Sequence, residues 1–310
     1  MTCLADHSVI VLGIPAYNEE MYIEECLASI QAQTLTDFRV VISDNASTDG
    51  TSIICKRFAE TDRRIIYYRH AANIGAVANF RFLLDSSTSP FFAWVGGHDI
   101  LKPKYLETHT KVLEQSPSIG TSFSYFEIID ELGKFVRSDR NVGTSAPHRF
   151  AILRYVWSVA LAADLGPMHG VFRRSFIPTC PFHTCVAWDH VFQSNSLYSA
   201  PYREFPEPLY KLRQFEESNR SQNVMQRVLG RDDAKIDVRE NITAFLTDFD
   251  QIVPRNSWHR HMKPFVRLAL HDRFGNPPFR LTKLFRSIAK RTHDIKRLAV
   301  GERSAHHEHA

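Results

Sequence analysis

The sequence has no apolar run approaching the roughly 20 residues that a helix needs to cross a bilayer. Its longest stretches, such as Val9 to Ile14, are far shorter. Met1 to Asp6 lacks both the basic start and the apolar segment of a signal peptide, so the expected location is the cytoplasm. Cysteine is scarce and odd in number, at five, and Cys3, Cys26 and Cys55 are scattered, which excludes a disulfide framework and makes reduced thiols the expectation. Neither a G-x-G-x-x-G fingerprint nor a Walker loop is present, so dinucleotide binding and P-loop phosphate chemistry are not indicated. There is no internal repeat. With hydrophobic residues at 44% and charged residues at 23%, disorder, collagen and coiled coil are excluded as well.

What remains is a folded chain of 310 residues, long enough for one large catalytic domain with an appendage or for two ordinary domains. Its first part alternates strand and helix patterns. Strands are predicted at Ser8 to Ile14, Phe38 to Ser43, Ile65 to Arg69 and Phe91 to Val95. Helices are predicted at Glu19 to Gln33 after an Asn18 cap, from Ser47–Gly50 to about Glu60 with Ile53, Ile54 and Phe58 on one side, at Ala76 to Ser86, and from Pro103 to about Gln115. This pattern predicts an α/β fold with a mostly parallel sheet covered on both faces. Ligands of such sheets gather at the C-terminal strand ends.

After Gly120 the pattern changes to an antiparallel pair, Thr121 to Ile129 with Lys134 to Arg137, then a helix around Pro147 to Val159 and a loop-rich stretch. A helix over Asp189 to Tyr198 and a strand over Glu207 to Gln214 follow. Beyond about Ser218 the chain reads as helical and polar. Charge divides similarly: residues 1–254 carry a balance of −5, residues 255–297 a balance of +10. From Phe279 to Leu298, Leu281, Leu284, Phe285, Ile288 and Ile295 fall near one helical face, with Lys and Arg around the others. Two readings stand: an interfacial helix on an anionic membrane surface, or an amphipathic helix packed on its own domain. Trp258, Phe265 and Phe274 serve either. Nucleic acid is not an expected partner, since no recognised binding module accompanies the charge.

Each early strand ends in small or polar residues: Pro15 to Glu19, Asp44 to Gly50, Asn73 to Gly75, and Gly96 to Asp99. Any one such loop is ordinary turn and cap chemistry, but four at one sheet edge point to a site. Asp44 and Asp99 suit hydrogen-bond acceptance from base or ribose and the holding of a cation against a diphosphate. Cys180 and Cys185 flank His183, three metal-ligand types without a second cluster.

The runs IPAYNEE (Ile14 to Glu20), VVISDNASTDGT (Val40 to Thr51), NIGAVANF (Asn73 to Phe80) and WVGGHDILKP (Trp94 to Pro103), in this order, resemble glycosyltransferase family two. The resemblance spans roughly residues 8 to 220. It implies the GT-A fold as a catalytic domain over 1–220, with 221–310 as a helical, basic extension. It also implies a nucleotide-diphosphate-sugar donor. Pro15, Ala16, Tyr17 and Glu19 would line base and ribose, Asp44 would accept from the base, and Asn73, Asn79 and Gly97 would sit near the sugar-nucleotide. In the family's Asp-x-Asp-Asp pattern, Gly96 and His98 replace the first two acids and Asp99 is retained. Asp99 and His98 thus become the candidate metal ligands, either with Mn²⁺ favoured over Mg²⁺ by the imidazole, or with His98 as a cap or ribose contact.

The segment Ala187 to Val191 resembles the family's Glu-Asp element, with Trp188 in place of the Glu. Asp189 is then the expected catalytic base, and a helix cap is its ordinary alternative. Met168, His169 and Trp188 would face the acceptor. Arg213 to Ser218 resembles an Arg-x-His-x-x-Ser element, with Phe215 in place of the His and Arg213 offered to the diphosphate. The expected activity is inverting transfer of a sugar to a hydroxyl of a glycan or lipid-linked acceptor in polysaccharide or cell-envelope assembly. The alternative is a glycosyltransferase-like module that binds without turnover.

Overall fold

The computed structural model describes residues 8–139, 150–161, 166–180, 182–185, 187–215 and 238–274. Ile10–Ala16 (β1), Ile23–Gln31 (α1), Phe38–Asp44 (β2), Thr51–Thr61 (α2), Ile65–Arg69 (β3), Ala76–Asp85 (α3) and Phe91–Trp94 (β4) alternate as their periodicity requires. Every residue of β1 but Pro15 is buried, the signature of a strand covered on both faces. β1 pairs in parallel with β2 and β4, and β2 with β3. All four therefore end at the same edge.

Then come Ile100–Leu101 (β5), Tyr105–Gln115 (α4), Thr121–Ile129 (β6), Phe135–Asp139 (β7), Ala151–Leu161 (α5), Val171–Arg173 (β8), Trp188–Ser199 (α6) and Tyr202–Arg213 (β9). The sheet formed by the described residues runs β3-β2-β1-β4-β8-β6-β9-β5, with β7 paired to β6. It is less parallel than expected. β8 is antiparallel to both β4 and β6, and β5 is antiparallel to β9. Only β6 with β9 restores a parallel pair beyond β4.

Two apolar clusters flank the sheet. One joins β1 and β2 to α1 and α4 through Ile23, Leu27, Ile30, Leu106 and Leu113. The other joins Val11, Leu83, Phe92 and Trp94 to α5 and α6, and also to Val238–Ile252 (α7) and Lys263–Phe274 (α8) through Phe245, Phe249, Val253, Val266 and Leu270. Where composition pointed to an extension from residue 221, these two helices share the core of α5 and α6. Each fully buried Phe in that core contributes roughly 1.5–3 kcal/mol of transfer free energy. Gly13 lets α3 approach β1 closely, since a Cβ there would lie 2.9 Å from the Phe92 ring and 3.0 Å from Leu83 Cβ.

Three local expectations change. Asn18 does not cap α1. It has a positive φ of 55° and sits in the preceding turn, while Tyr22 occupies the cap position. On α2 it is Cys55 that is buried, and Ile53 is exposed. The start of the helix predicted from Pro147, and the whole of Phe279 to Leu298, lie outside the described residues. Among the described residues no helix is long and apolar enough to cross a membrane.

Candidate active site

Two loops at the common edge are welded together. In the loop after β1, the Asn18 amide donates to Ser47 Oγ (3.1 Å), the Glu19 amide to Thr51 Oγ1 (2.8 Å) and the Glu20 amide to Asp49 Oδ2 (3.2 Å). The loop after β2 answers with the Thr48 amide on Asn18 Oδ1 (2.8 Å) and the Gly50 amide on Glu20 Oε2 (2.6 Å). Ala46 is held at φ 61°, a conformation a β-carbon disfavours and one that this surrounding network over-determines. Pro15 and Ala16 close β1 beneath this weld, and Tyr17 is half-buried on its rim.

Asp44 ends β2 with no exposed surface. Its Oδ2 accepts from Tyr67 Oη (2.6 Å) and Arg69 Nη1 (2.8 Å), and its Oδ1 from the Ser47 amide (2.8 Å). Burial raises its pKa, but these donors outweigh burial and hold the carboxyl below its ordinary value. The carboxylate expected to accept from the base is thus held by three donors, one from its own loop and two from β3. The polar group facing outward at this place is Arg69, whose side chain is 39% exposed.

The asparagines build the next loop. Asn73 Oδ1 accepts from Asn45 Nδ2 and the Gly75 amide, both at 2.8 Å. Asn79 is buried, donates to the Ser43 carbonyl (2.9 Å) and accepts from Ser43 Oγ (2.5 Å). It latches α3 to β2 rather than facing a ligand.

At the loop after β4 the last motif converges. Asp99 is buried, its Oδ2 accepting from Tyr210 Oη (2.8 Å) and its Oδ1 from the Arg213 amide (3.0 Å). His98 Nδ1 lies 3.1 Å from Glu19 Oε1, and Glu19 itself is buried. With the proton on Nδ1, directed at the carboxylate, Nε2 becomes the ring's acceptor nitrogen. Both side chains reach a single point. A Cβ on Gly96 would lie 2.6 Å from Asp99 Oδ2 and 3.3 Å from His98 Nε2, so only glycine leaves that space open. Gly97 packs against Glu19 and Ile23. Phe215 stands edge-on to His98 at 5.1 Å.

Arg213 is corrected from phosphate ligand to clamp. Its side chain is 2% exposed. Its Nε donates to the His98 carbonyl (2.8 Å), Nη1 to the Asp130 and Glu131 carbonyls (3.1 and 2.9 Å) and Nη2 to Glu25 Oε2 (2.7 Å). Met168 and Trp188 are likewise drawn inward: both are buried in the second core, Trp188 edge-on to Phe80 and stacked on Phe182. His169 lies beside Tyr210, ring centroids 5.2 Å apart, on the supporting side of Asp99. Burial pushes its pKa down, against the pull of the Asp99 charge. Asp189 is half-buried in the first turn of α6, where its Oδ1 accepts from the His190 amide (2.8 Å). Of the Cys180, His183 and Cys185 group, His183 Nε2 is turned to Asp248 Oδ1 (2.7 Å), and among the described residues no three ligands cluster for a metal.

Tyr67, Arg69, Tyr210 and Glu25 are the participants that sequence reading missed. Arg69 alone carried a signal, as a charged residue at the C-terminal end of a strand.

A family model described as Glycosyl transferase family 2 matches residues 11–178, more than half of the chain. The chain is a family 2 glycosyltransferase. Among curated relatives, this glycosyltransferase is 32% identical over 133 residues to Glycosyltransferase GlyA of Streptococcus pneumoniae serotype 4, covering 43% of this chain and 19% of that protein. It is 30% identical over 134 residues to the Uncharacterized glycosyltransferase MJ1057 of Methanocaldococcus jannaschii, covering 43% and 46%. The chain thus spans less than half the length of either. Its GT-A fold is shared with residues 1–349 of S. aureus TarS solved in complex with UDP-GlcNAc, at TM-score 0.63 and 18% identity, covering 86% of this chain and 73% of that one. It is shared also with the mannosyltransferase PcManGT of Pyrobaculum calidifontis solved with GDP-Man and Mn2+, at TM-score 0.54 and 15% identity, covering 97% and 81%.

Proposed function

We propose that this glycosyltransferase transfers a sugar from a nucleotide-diphosphate donor, with inversion, to a hydroxyl of a glycan or lipid-linked acceptor in polysaccharide or cell-envelope assembly. The observation that carries the reading is the convergence of Asp99 Oδ2 and His98 Nε2 on the space left by Gly96, at the edge where parallel sheets bind ligands.

One carboxylate oxygen and one imidazole nitrogen fit a divalent cation of borderline hardness, which favours Mn²⁺ over Mg²⁺. The fit is supported by the Glu19 carboxylate behind the imidazole, an arrangement that orients a ligating histidine. Asp99 and His98 would hold the ion, and when bound it would neutralise charge on the donor's diphosphate. Tyr210 and the Arg213 amide fix Asp99 in place. Arg69, tied by Nη1 to Asp44 and by Nη2 to the Ser47 carbonyl, keeps a partly exposed guanidinium at this edge, and Tyr17 adds a half-buried ring. Asp189, as base, accepts the proton of the acceptor hydroxyl while the oxygen attacks on the face opposite the departing diphosphate. The acceptor class and pathway rest on analogy with the fold.

The test is turnover of UDP-GlcNAc and GDP-mannose with Mn²⁺ present, read as the UDP or GDP set free when the sugar passes to water or acceptor. Asp189→Asn is expected to lower the rate by roughly 100-fold or more while UDP and GDP affinities hold. Equal release by both proteins would remove Asp189 from its role.

A further inference from the structure

Two neighbouring helices turn large apolar side chains outward. Phe150, immediately before α5, and Leu153 within it are 48% and 38% exposed, and Trp157 is half-buried one turn on. Their spacing of three and four places them on one stripe. On α8, Val266 and Leu270 enter the core, whereas Phe265 and Leu268 are 60% and 46% exposed. The two helices adjoin where Ala269 of α8 packs, beside Trp157, against Ala160 of α5. Trp258, in the short 3-10 turn Trp258–Met262 that leads into α8, is 59% exposed. Isolated exposed apolar residues such as Met21, Ile53 and Leu132 are ordinary on any surface, but five on two touching helices and the turn beside them form a patch.

Its charge is one-sided. α5 contains no acidic residue, and residues 255 to 274 contain five Lys or Arg and one acid, Asp272. Arg260 and Lys263 share the single carboxylate of Asp250, and Arg255 and Arg267 are exposed, so the described side chains of this face carry net positive charge. Aromatic and aliphatic anchors among cations, with few acids to repel phosphate, match the interface of an anionic bilayer.

We propose that this face of α5 and α8 docks on an anionic lipid surface. Arg154 Nε donates to the Leu197 carbonyl and Ser158 Oγ meets Ser194 Oγ, so α5 runs antiparallel to α6. The end of α5 at Leu161 thereby comes level with the α6 turn that bears Asp189. A bilayer on this face lies alongside the helix that carries the proposed base, the placement a lipid-linked acceptor requires. The docking itself does not depend on the role of Asp189.

The experiment is co-sedimentation of the full chain with phosphatidylcholine vesicles with and without phosphatidylglycerol. The triple variant Leu153→Gln/Phe265→Gln/Leu268→Gln is expected to bind phosphatidylglycerol vesicles about tenfold or more weakly, with Tm and nucleotide release unchanged, because each lost insertion removes buried apolar area. Arg255→Glu/Arg267→Glu, which touches no apolar contact, is expected to weaken binding to the anionic vesicles alone. Binding of both variants equal to that of the unaltered chain would overturn the proposal. So would a dimer of the unaltered chain that dissociates in the triple variant without any vesicle binding, which would assign the face to a second copy.

Discussion

Replacing Arg213 with Met separates the two roles that an arginine at the end of β9 can have. Its guanidinium donates to three backbone carbonyls, those of His98, Asp130 and Glu131, and to the Glu25 carboxylate. The Glu25 side chain is 57% exposed, so that ion pair contributes at most about 1 kcal/mol after solvent screening. The larger loss comes from carbonyls deprived of a charged donor, at about 1–3 kcal/mol for each that water does not reach. A total of about 3 kcal/mol follows, because the half-exposed Asp130 and Glu131 regain part of their bonding from solvent. For a chain of this length that corresponds to a fall in Tm of about 5 °C, readable by scanning calorimetry. Because the clamp also holds the His98 carbonyl beside the cation cradle, Mn²⁺ affinity weakens along with stability. A diphosphate ligand would behave oppositely: UDP or GDP affinity would drop about 10–100-fold, the value of a lost charge-assisted contact, with Tm unchanged. That second result in titration calorimetry would refute the clamp.

Gly96→Ala would place its Cβ 2.6 Å from Asp99 Oδ2, and we expect loss of Mn²⁺ binding by electron paramagnetic resonance in a folded protein; undiminished binding would move the cation elsewhere. Glu19→Gln should weaken Mn²⁺ binding about 10–100-fold by loosening the imidazole's tautomer and orientation, and an unchanged affinity would free His98 from Glu19. Asp44 has a lowered folded-state pKa, so its contribution to stability is present above the unfolded value near about 3.9 and is lost as pH falls through the lower folded value. Tm of the unaltered chain should therefore fall below about pH 4 more steeply than that of Asp44→Asn, and parallel curves would contradict a carboxylate stabilised by its donors.

β1, β2 and β4 were legible because they are buried almost throughout, and β3, at the end of the sheet, by its run of β-branched and aromatic residues. A run such as Ile10–Ala16, covered on both faces, gives a near-continuous apolar signal with no charged or polar side chain in it. The antiparallel half was harder. β8 has three residues and takes its place through partners on β4 and β6, which are distant in sequence, so no local pattern announces it. The loops were legible in composition but not in direction. Asn, Asp and Arg serve turns, caps, clamps and ligands alike, and only coordinates decide which way each side chain faces. Asn79 turned to Ser43 and Arg213 to three carbonyls, although both stand in motifs that resemble the family's. Trp188 occupies a position the family fills with an acid, and its apolar surface drew it into the core beside Phe182.

The departures from the family's acidic pattern are easier to understand as a set than singly. A histidine at 98 is longer than the aspartate it replaces, and its Nε2 reaches the same point as Asp99 Oδ2 only because position 96 has no side chain to occupy the space. An imidazole also ligates through one nitrogen only when the other is committed to a donor's role, and Glu19, on the loop after β1, commits it. Glu19 is in turn fixed by its amide on Thr51 of the loop after β2. The chain therefore couples its ligand at 98 to the weld between two other loops. A single reversion toward acid, such as Gly96→Asp, would put a Cβ into the space on which Asp99 and His98 converge without removing the imidazole, and so should lower cation affinity rather than restore it.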